Sequence, residues 1–433
     1  MQQATITGFL KQYINQESLG GIILFVATIL ALIVANSFLG QTYYDLWHMP
    51  LGITIGEHTI SMTLTYWIDD GLMALFFLMI GLEIKRELLF GELSSPAKAS
   101  LPVIAALGGM IVPALFYFGF NSSGDVANGF GIPMATDIAF ALGILMLLGK
   151  RVPLQLKVFL VSLAVVDDLG AVMIIALFYT ADFQAIYLLA AAGVMAVLFL
   201  LNYLGVKRLL PYLLLGIPLW IFIHDSGMHA TIAGILLAIA IPSRSKIKDR
   251  HFLDRIKESV QIFDQHKGQE MLTHKQHYAL EQIADAYDNV QSPMVKLEHY
   301  LHPLNAYFIM PLFAFSNAGV VLSGGFGDYP TVALGILMGL LIGKPIGIVG
   351  FVWLATQLKI AQLPEGMNFG QVLSAGFLAG IGFTMSIFIA HLAFVDEAMI
   401  ASAKIAVLGT SFIAAIIGVV LILKNTRAVQ GEG

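Results

Sequence analysis

Long apolar runs separated by short polar breaks make up almost the whole sequence from Leu19 onward. The runs are continuous and rich in Leu, Ile, Ala and Gly, whereas membrane β-strands alternate apolar and polar residues over about ten positions. Runs of this length let helices cross the roughly 30 Å hydrocarbon layer. We therefore predict an all-α polytopic membrane protein with about twelve transmembrane helices, near 19–39, 62–90, 101–120, 130–149, 157–179, 185–204, 209–223, 228–242, 303–322, 330–357, 371–394 and 401–423.

The composition supports a membrane protein. The 433 residues are 58% hydrophobic and 12% charged, too apolar for the surface of a soluble domain. The chain has no cysteine, so disulfides and thiolate metal sites are excluded. No basic patch favours a nucleic-acid partner. The first seventeen residues lack the basic region and cleavage site of a secretory signal, so we expect the first apolar run to remain in the protein.

Lys and Arg residues predict the orientation in the membrane. All but two of the 23 fall at the termini or in every second connection, and therefore on one side of the predicted bundle. This is the positive-inside pattern. Both termini are then cytoplasmic, in a bacterial inner membrane. The opposite connections hold no Lys or Arg, and lie near 45–58, 121–128, 181–183, 224–225, 323–328 and 396–397.

Two connections are longer than turns, although we expect residues 1–433 to form one transmembrane domain. Residues 41–61 contain β-branched alternation around Gly56, which predicts an extracytoplasmic hairpin. Residues 243–302 are hydrophilic, with nine basic and nine acidic side chains, and predict a cytoplasmic loop that is helical or mobile.

Lys344 and Lys404 break the alternation, since both fall inside predicted helices. A lysine inside a membrane helix costs about 2.5 kcal/mol or more unless it is paired or hydrated. At about 1.5 Å per residue, Lys344 lies about 21 Å in from Pro330, near the bilayer middle. It therefore has either a structural ion pair or a role in transport. Lys404 lies near an outer helix end, where its side chain can extend to the interface.

Three acidic residues reach the same depth as Lys344. Asp167 and Asp168 follow Lys157 by ten and eleven residues, which places them about 15 to 17 Å deep. Asp137 reaches a compatible depth on the preceding helix. Adjacent helical residues point about 100° apart, so one acid can line a cavity while the other contacts another helix. The alternative is that the acids only pair with Lys344 to hold helices together.

Glycines interrupt two predicted helices. Span four opens with Gly129, Gly131 and Pro133, and span eleven contains Gly380 and Gly382. Helix packing alone is another reason for either set. The two spans run in opposite directions, as inverted-topology repeats of spans three to five and ten to twelve require. We predict two broken, crossing helices whose partial charges are balanced by acidic and basic side chains at the crossing.

Six motifs follow one another along nearly the whole chain: Gly81-Leu-Glu-Ile-Lys-Arg-Glu-Leu88, Ala135-Thr-Asp-Ile-Ala-Phe-Ala-Leu-Gly143, Val166-Asp-Asp-Leu-Gly170, Ser226-Gly-Met-His-Ala-Thr231, Gly343-Lys-Pro345 and Ala379-Gly-Ile-Gly-Phe-Thr-Met385. Together they resemble the motifs of the NhaA-type sodium/proton antiporter family. NhaA is itself a known example of inverted repeats. The inverted-repeat architecture is therefore also what the resemblance implies, and not an independent finding.

The resemblance implies a secondary active transporter, not an enzyme, that uses no cofactor. It would exchange internal Na⁺ or Li⁺ for external H⁺ by alternating access, for sodium and pH homeostasis. Asp167 and Asp168 would bind the transported Na⁺ and the proton. Asp137 and Thr136 would lie at the helix crossing, and Lys344 would balance its charge. A homodimer through the outer hairpin is also implied.

The resemblance further implies a pH response through five residues. Glu298 follows a loop longer than in other members, which is a departure from the family pattern, and solvated helix ends are the alternative for these residues. His229 could equally be a satisfied hydrogen-bonding residue. The five residues are Glu83, Arg86, Glu87, His229 and Glu298.

Exchange requires only a carboxylate that binds either H⁺ or a hard cation, in a cavity open to one side at a time. A proton- or sodium-coupled transporter of organic solutes has the same plan and is the main alternative. An intramembrane protease with Asp137 and Asp168 as its acid pair is a second alternative, and we expect neither a Gly-x-Gly-Asp nor a His-Glu-x-x-His motif to support it.

Overall fold

A computed structural model describes residues 2–55, 58–180, 183–245, 247, 249–265, 271–322 and 325–430. These residues are mostly helical, as the long apolar runs predict. The first half contains one hairpin and ten α-helices: α1 (Gln2–Ala35), α2 (Gly40–Trp47), β1 (Pro50–Ile55), β2 (His58–Thr63), α3 (Leu64–Tyr66), α4 (Met73–Phe90), α5 (Pro96–Phe120), α6 (Ile138–Leu147), α7 (Leu154–Phe178), α8 (Ala185–Tyr203), α9 (Leu209–Asp225) and α10 (Ile232–Ala240).

The second half is helical throughout its described elements. Three wide π-helical segments, Trp67–Leu72, Asn305–Ile309 and Gly339–Gly343, lead directly into α4, α14 and α16. Such segments are frequent at functional sites. The helices are α11 (Asp249–Asp264), α12 (His274–Val290), α13 (Pro293–Leu304), α14 (Met310–Asn317), α15 (Pro330–Met338), α16 (Lys344–Gln357), α17 (Phe369–Ala379), α18 (Phe383–Ala393) and α19 (Glu397–Gln430).

Helix length and apolarity support several membrane crossings. Within the described ranges, six helical segments satisfy both criteria, and two bent pairs, α1 with α2 and α17 with α18, bring the number to eight. The predicted total of twelve crossings and the inverted repeats therefore stay predictions. The six segments are Pro96–Phe120, Asp125–Leu147, Leu154–Phe178, Ala185–Tyr203, Pro330–Gln357 and Glu397–Asn425.

The first predicted span, 19–39, is wrong at its end. α1 stops at Ala35, and the chain turns by 115° into α2. At this turn the Asn36 side-chain amide donates to the carbonyl oxygens of Leu32, at 2.9 Å, and Val320, at 2.8 Å. An asparagine side chain that bonds backbone carbonyls offers an alternative to continued helix, and its hydrophobic neighbours hide this signal in the sequence.

Glycines let the central helices approach closely. Gly108 of α5 faces the backbone of Gly347 of α16, and a side-chain carbon on either glycine would collide with the other residue's carbonyl. Small residues allow such contacts between membrane helices. α5 forms the third predicted span, and α16 forms the second part of the tenth, after α15, so these two spans pack closely together.

The two long connections mark opposite ends of the bundle. β1 and β2 form an antiparallel hairpin with Pro50 opposite Thr63 and Ile53 opposite Ile60, while Gly56 and Glu57 lie outside the described residues. We call this the hairpin end. The 243–302 connection contains α11, α12 and most of α13, with 246, 248 and 266–270 outside the described residues. We call its side the excursion end.

Candidate functional site

Both predicted helix interruptions are present, and they touch each other. Before α6 the chain forms a tight 3₁₀ segment, Asp125–Met134, and then extends through Asp137. Residues 380–382 separate α17 from α18, which are bent by 49°. The Asp137 amide donates to the Ile381 carbonyl at 2.7 Å, and the Ser386 hydroxyl donates to the Ile132 carbonyl at 2.7 Å. The breaks therefore cross in the interior of the bundle.

Asp137 joins the N-terminal ends of two helices. Its Oδ1 accepts from the Phe140 amide at 3.0 Å, which caps α6. Its Oδ2 accepts from the Thr384 amide at 3.1 Å and from the Thr384 hydroxyl, in the first turn of α18. Helix N-termini carry partial positive charge, so the carboxylate balances two of them where lipid and protein exclude water.

Lys344 lies on the opposite side of the crossing and is fully buried. Its Nζ donates to the Met134 carbonyl oxygen at 2.5 Å, where the 3₁₀ segment ends, and lies 3.2 Å from Asp167 Oδ2. The lysine therefore balances a carbonyl end and one carboxylate.

Thr136 connects the breaks to Asp167. Its Oγ1 lies 2.8 Å from Asp167 Oδ2 and 2.9 Å from the Ala379 carbonyl oxygen. A hydroxyl has one proton, so it donates to one of these acceptors at a time. Asp167 Oδ2 is thus bonded to Lys344 and within reach of Thr136. Asp167 Oδ1 is buried and has no hydrogen-bond partner among the described residues.

Asp168 differs sharply from its neighbour. It is 3% exposed, its Oδ1 is buried, and within the described part of the chain it has no hydrogen bond or ion pair. Lys344 bonds Asp167 instead, so the interpretation that all the acids merely pair with Lys344 does not account for Asp168. Buried carboxylates are normally paired or hydrogen-bonded, so an exception indicates a functional role.

Asp168 lines a cavity of about 60 Å³ on the excursion side of the crossing, which we call the excursion-end cavity. The cavity combines two carboxylates of the crossing layer with Glu83 and polar groups near the loop. Its lining residues are Phe76, Met79, Ile80, Glu83, Asp137, Ile138, Ala139, Leu142, Asp168, His302, Asn305, Ala306, Met310 and Met385.

A layer of aromatic rings lies between this cavity and the hairpin end. Phe388 packs against Phe77, with ring centroids 5.6 Å apart, and against Phe313, at 6.2 Å. All three rings are at most 1% exposed. Phe76 and Met310 line the excursion-end cavity one helical turn or less from these rings. A second cavity of about 520 Å³ lies beyond the layer at the hairpin end. We call it the hairpin-end cavity.

Four of the five predicted pH-response residues lie together at the excursion end. Arg86 contacts Glu298 at 2.9 Å, Glu87 at 3.3 Å and Glu83 at 3.8 Å. Burial raises the pKa of Glu298, and the Arg86 charge opposes the rise. Glu298 Oε2 is buried without a hydrogen-bond partner among the residues described. Glu298 thus joins α13, at the end of the loop, to α4.

His229 is not part of that group. It lies in the turn before α10, whose other end contacts Lys85 through the Ala238, Ile239 and Ile241 carbonyls. Gly234 in the first turn of α10 contacts Ala74 near the start of α4. His229 is therefore displaced toward the hairpin end. His229 was predicted from a family motif, and a sequence motif does not show how far its residues lie from those of another motif in the folded protein.

Thr384 is a site residue that the sequence did not single out by itself. Its position as the first hydroxyl after Gly380 and Gly382 was the available signal, because broken helix ends need polar partners. Lys404, expected at the interface, instead lines the hairpin-end cavity and is partly buried. The chain has a Gly-x-Gly-Asp motif at Gly325-Phe-Gly-Asp328, but Asp328 is exposed before α15 and away from Asp168. It gives no support to a protease.

The fold and the site define a class. Apolar helices, crossed breaks with balanced charges and one unpartnered buried carboxylate beside a cavity are the features of a multi-pass secondary transporter of ions. The family profile described as "Na+/H+ antiporter 1" matches residues 11–422. The chain therefore belongs to this family of sodium/proton antiporters, which are transporters and not enzymes.

Curated relatives agree with the family assignment. The chain is 52% identical to Na(+)/H(+) antiporter NhaA 1 of Aliarcobacter butzleri over 425 residues, covering 96% of this chain and 97% of the relative. It is 52% identical to Na(+)/H(+) antiporter NhaA of Wolinella succinogenes over 417 residues, with 95% and 92% covered. It is 54% identical to Na(+)/H(+) antiporter NhaA of Helicobacter acinonychis over 412 residues, with 94% of each covered.

Proposed function

We propose that this protein exchanges internal Na⁺ or Li⁺ for external H⁺, with Asp168 and Asp167 as the binding pair. The observation that carries the proposal is Asp168, a buried carboxylate without a described partner on the wall of a cavity. The excursion end and both termini face the cytoplasm, and the hairpin end faces outward across a bacterial inner membrane, following the distribution of Lys and Arg. Its role is sodium and pH homeostasis.

Competition at the carboxylates couples the two ions. A hard cation such as Na⁺ prefers oxygen ligands, and a protonated carboxyl group offers a weaker site. Asp168 and the free Oδ1 of Asp167 supply such oxygens from adjacent residues of α7. Sodium therefore binds after protons leave, and protons rebind after sodium leaves. An inward proton gradient then drives sodium outward.

Alternating access requires the exchange site to open to one side of the membrane at a time. The aromatic layer of Phe77, Phe313 and Phe388 separates the excursion-end cavity from the hairpin side. We propose that this state faces the cytoplasm, because Glu83 and His302, near the loop, line the excursion-end cavity. The outward state requires Phe388 to separate from its two partners, and the broken helices supply the flexible points for that motion.

The Arg86 cluster is the candidate for the pH response. Loss of the Glu298 proton at alkaline pH completes an ion pair with Arg86 and so links α13 to α4. α4 also bears Glu83, which lines the excursion-end cavity. A pH change at the loop is thereby transmitted to the cavity. His229 acts separately, at the start of α10.

The cavity volume favours ions over the alternative of an organic solute. About 60 Å³ holds a few water molecules, whereas pockets for small organic ligands usually enclose about 300 Å³ or more. An organic solute would need a larger space beside Asp168 than this state provides.

The direct experiment uses inverted membrane vesicles with a pre-formed pH gradient and a fluorescent pH indicator. Addition of Na⁺ or Li⁺ should dissipate the gradient, because these cations enter in exchange for internal protons. K⁺ and a set of organic acids and amines serve as controls. Dissipation by an organic solute without sodium, or no response to sodium, would contradict the proposal.

We also propose a two-fold homodimer in which the hairpins of two chains meet. A two-stranded hairpin is marginally stable alone, and β1 and β2 each have a free edge that a second copy can pair with. Deletion of 52–57 should give monomers that still exchange sodium for protons, as measured by native mass and vesicle transport. A deletion variant that stays dimeric, or a monomer that inserts correctly and does not transport, would overturn this division.

A further inference from the structure

The hairpin-end cavity contains a charged cluster that the proposed exchange site does not use. Asp69 lies on the π-helical segment before α4, and His391 lies near the end of α18. His391 Nδ1 is 3.2 Å from Asp69 Oδ2, and both side chains are about one-sixth exposed. Asp69 Oδ1 accepts from the Asn317 side-chain amide at 2.7 Å. Three separate helices therefore converge on one carboxylate inside a cavity of about 520 Å³.

Asn317 adds a second sign of a binding site. It is 1% exposed and lines the cavity, and its side-chain carbonyl Oδ1 is buried without a partner in the described ranges. The asparagine amide also contacts the Ser316 hydroxyl at 2.9 Å. Its orientation toward Asp69 is thus fixed, and an acceptor remains available at the cavity wall.

The same helices connect this cluster to the exchange site. α18 places Met385 at the excursion-end cavity, Phe388 in the aromatic layer and His391 in the hairpin-end cavity. α14 places Met310, Phe313 and Asn317 in the same order. From Met385 to His391 the rise is about 9 Å. The cluster thus lies about two helical turns beyond the exchange layer, separated from it by one set of rings.

The chemistry of the cluster fits a proton better than a metal cation. Both Asp69 oxygens already accept hydrogen bonds, so Na⁺ would have to displace His391 or Asn317. Lys404 also lines the cavity, and its charge opposes uptake of any cation, H⁺ included, so the hydrogen bonds on Asp69 are what disfavour Na⁺. A proton taken up by His391 instead strengthens the existing contact with Asp69, because the pair becomes an ion pair.

We propose that Asp69, Asn317 and His391 form a proton-binding site on the outer side, where protons collect before they enter the exchange site. The proposal rests on the proposed function and its orientation. Between turnovers the proton is held by the His391–Asp69 pair, above the closed aromatic layer. When Phe388 moves, α18 also moves His391, so the outer site and the gate change together.

Several other groups share this cavity and act on its proton affinity. α19 contributes Lys404 and Glu397, α2 contributes Tyr44 and His48, and Tyr66 lies beside the π-helical segment. Lys404 is the sharpest probe of the site's charge, because it forms no ion pair with a described residue. Its removal leaves Asp69 and His391 intact while it makes protonation of the pair easier.

The test measures sodium efflux from sodium-loaded, right-side-out vesicles at fixed internal pH while the external pH varies. Wild-type efflux should fall several-fold as external pH rises past the point where His391 loses its proton, in addition to the decline that the smaller proton gradient causes. Efflux by His391→Gln and Asp69→Asn should show only the decline that the smaller proton gradient causes, because neither substituted amide titrates. Their dependence on internal pH at fixed external pH should match that of the wild type. Lys404→Gln should move the external midpoint upward.

His224→Gln is the matched control. His224 also pairs with a carboxylate at the hairpin end, since its Nδ1 lies 2.9 Å from Asp225, but it does not line the cavity. It should keep the wild-type external profile. A wild-type profile in folded His391→Gln overturns the outer site alone, whereas absence of proton-driven efflux from wild type overturns the proposed function and this site with it. If the two pair variants do not fold, Lys404→Gln decides: an unmoved midpoint overturns the proposal.

Discussion

The helix crossing and the excursion-end cavity lie side by side, but buried charges are paired at the crossing, whereas Asp168 in the cavity is not. At the crossing, Asp137 accepts from two helix N-termini, and Lys344 bonds both Asp167 and a carbonyl end. In the cavity, Asp168 has no described partner. The two aspartates are adjacent on α7, and adjacent helical side chains point about 100° apart. Asp167 therefore lies among the paired charges of the crossing, which we call the partnered layer, and Asp168 lines the cavity.

This difference separates structure from transport. A fully partnered charge stabilises one geometry and has little tendency to exchange ligands. An unpartnered carboxylate in a small cavity lowers stability but can bind a proton or a cation in turn. On the proposed function, the partnered layer holds two broken helices in place, and Asp168, next to Asp167, is the member of the binding pair without a partner to give up.

The largest expected effect is on transport by Asp168→Asn. Exchange should fall to the level of vesicles without the protein, because an amide neither titrates nor carries the charge that holds Na⁺. Thermal stability in detergent should stay equal or rise, since Asp168 has no partner to lose. Asp125→Asn, an exposed change near the hairpin end, is the control and should transport normally. Wild-type exchange by Asp168→Asn would remove the proposed site.

Asp167→Asn should also abolish exchange, but unlike Asp168→Asn it should lower thermal stability as well. This substitution leaves Lys344 without its carboxylate, so the melting temperature in detergent should fall as well. Equal melting temperatures for Asp167→Asn and Asp168→Asn would erase the distinction between the partnered and the exchanging residue.

Lys344→Ala should cost about 3 kcal/mol of stability or more, because Asp167 loses its ion-pair partner while it remains buried, and the Met134 carbonyl loses its hydrogen-bond donor. The pH dependence of exchange should change with it, since the charge balance at the crossing is lost. Lys404→Ala is the matched control, and it should have the smaller effect on stability because Lys404 has no described ion-pair partner. An unchanged melting temperature together with an unchanged pH profile of Lys344→Ala would contradict the account.

Thr384→Val should lower stability by about 2 kcal/mol, the usual loss for a hydrogen bond to a charged group. The change keeps the side-chain shape and removes only the hydroxyl that Asp137 accepts from. Thr410→Val is the control, because the Thr410 hydroxyl is buried without a described partner and its removal should be neutral or stabilising. Equal effects of the two changes on thermal unfolding would show that Asp137 is not held by Thr384.

The smallest effect is expected for Glu298→Gln. Because burial raises the pKa of Glu298 above its usual value, folding favours the protonated form, and that stabilisation is lost as pH rises through the folded pKa. The variant should lack this pH-dependent part of the stability. Gln also resembles the protonated state, so half-maximal exchange should move to higher pH by up to about one unit. Glu92→Gln, which removes an exposed contact with Lys98, should leave the exchange profile unchanged.

The sequence predicted much of the crossing because depth and interruption are both readable from it. Counting residues along apolar runs placed Asp137, Asp167, Asp168 and Lys344 in one layer, and Gly380 and Gly382 located a break. The 100° angle between neighbours predicted that the two aspartates would differ. It could not show which of them pairs with Lys344, since that depends on the relative rotation of α7 and α16.

Contacts between distant parts of the chain were the part that the sequence could not provide. His391 lies in an apolar helix, and its pairing with Asp69 spans more than three hundred positions. The end of α1 at Ala35 and the separation of His229 from Arg86 likewise depend on tertiary contacts. A local pattern has no access to these, because it reports periodicity and not which helices are neighbours.

The most direct test of the central claim is proton release on sodium binding by purified protein in weakly buffered detergent solution. Addition of Na⁺ to the wild type should release protons that a pH indicator detects, because sodium displaces protons from the carboxylate pair. Asp168→Asn should bind no sodium and release none, while Asp125→Asn should behave as the wild type. Undiminished proton release from Asp168→Asn would show that the exchanging group is elsewhere.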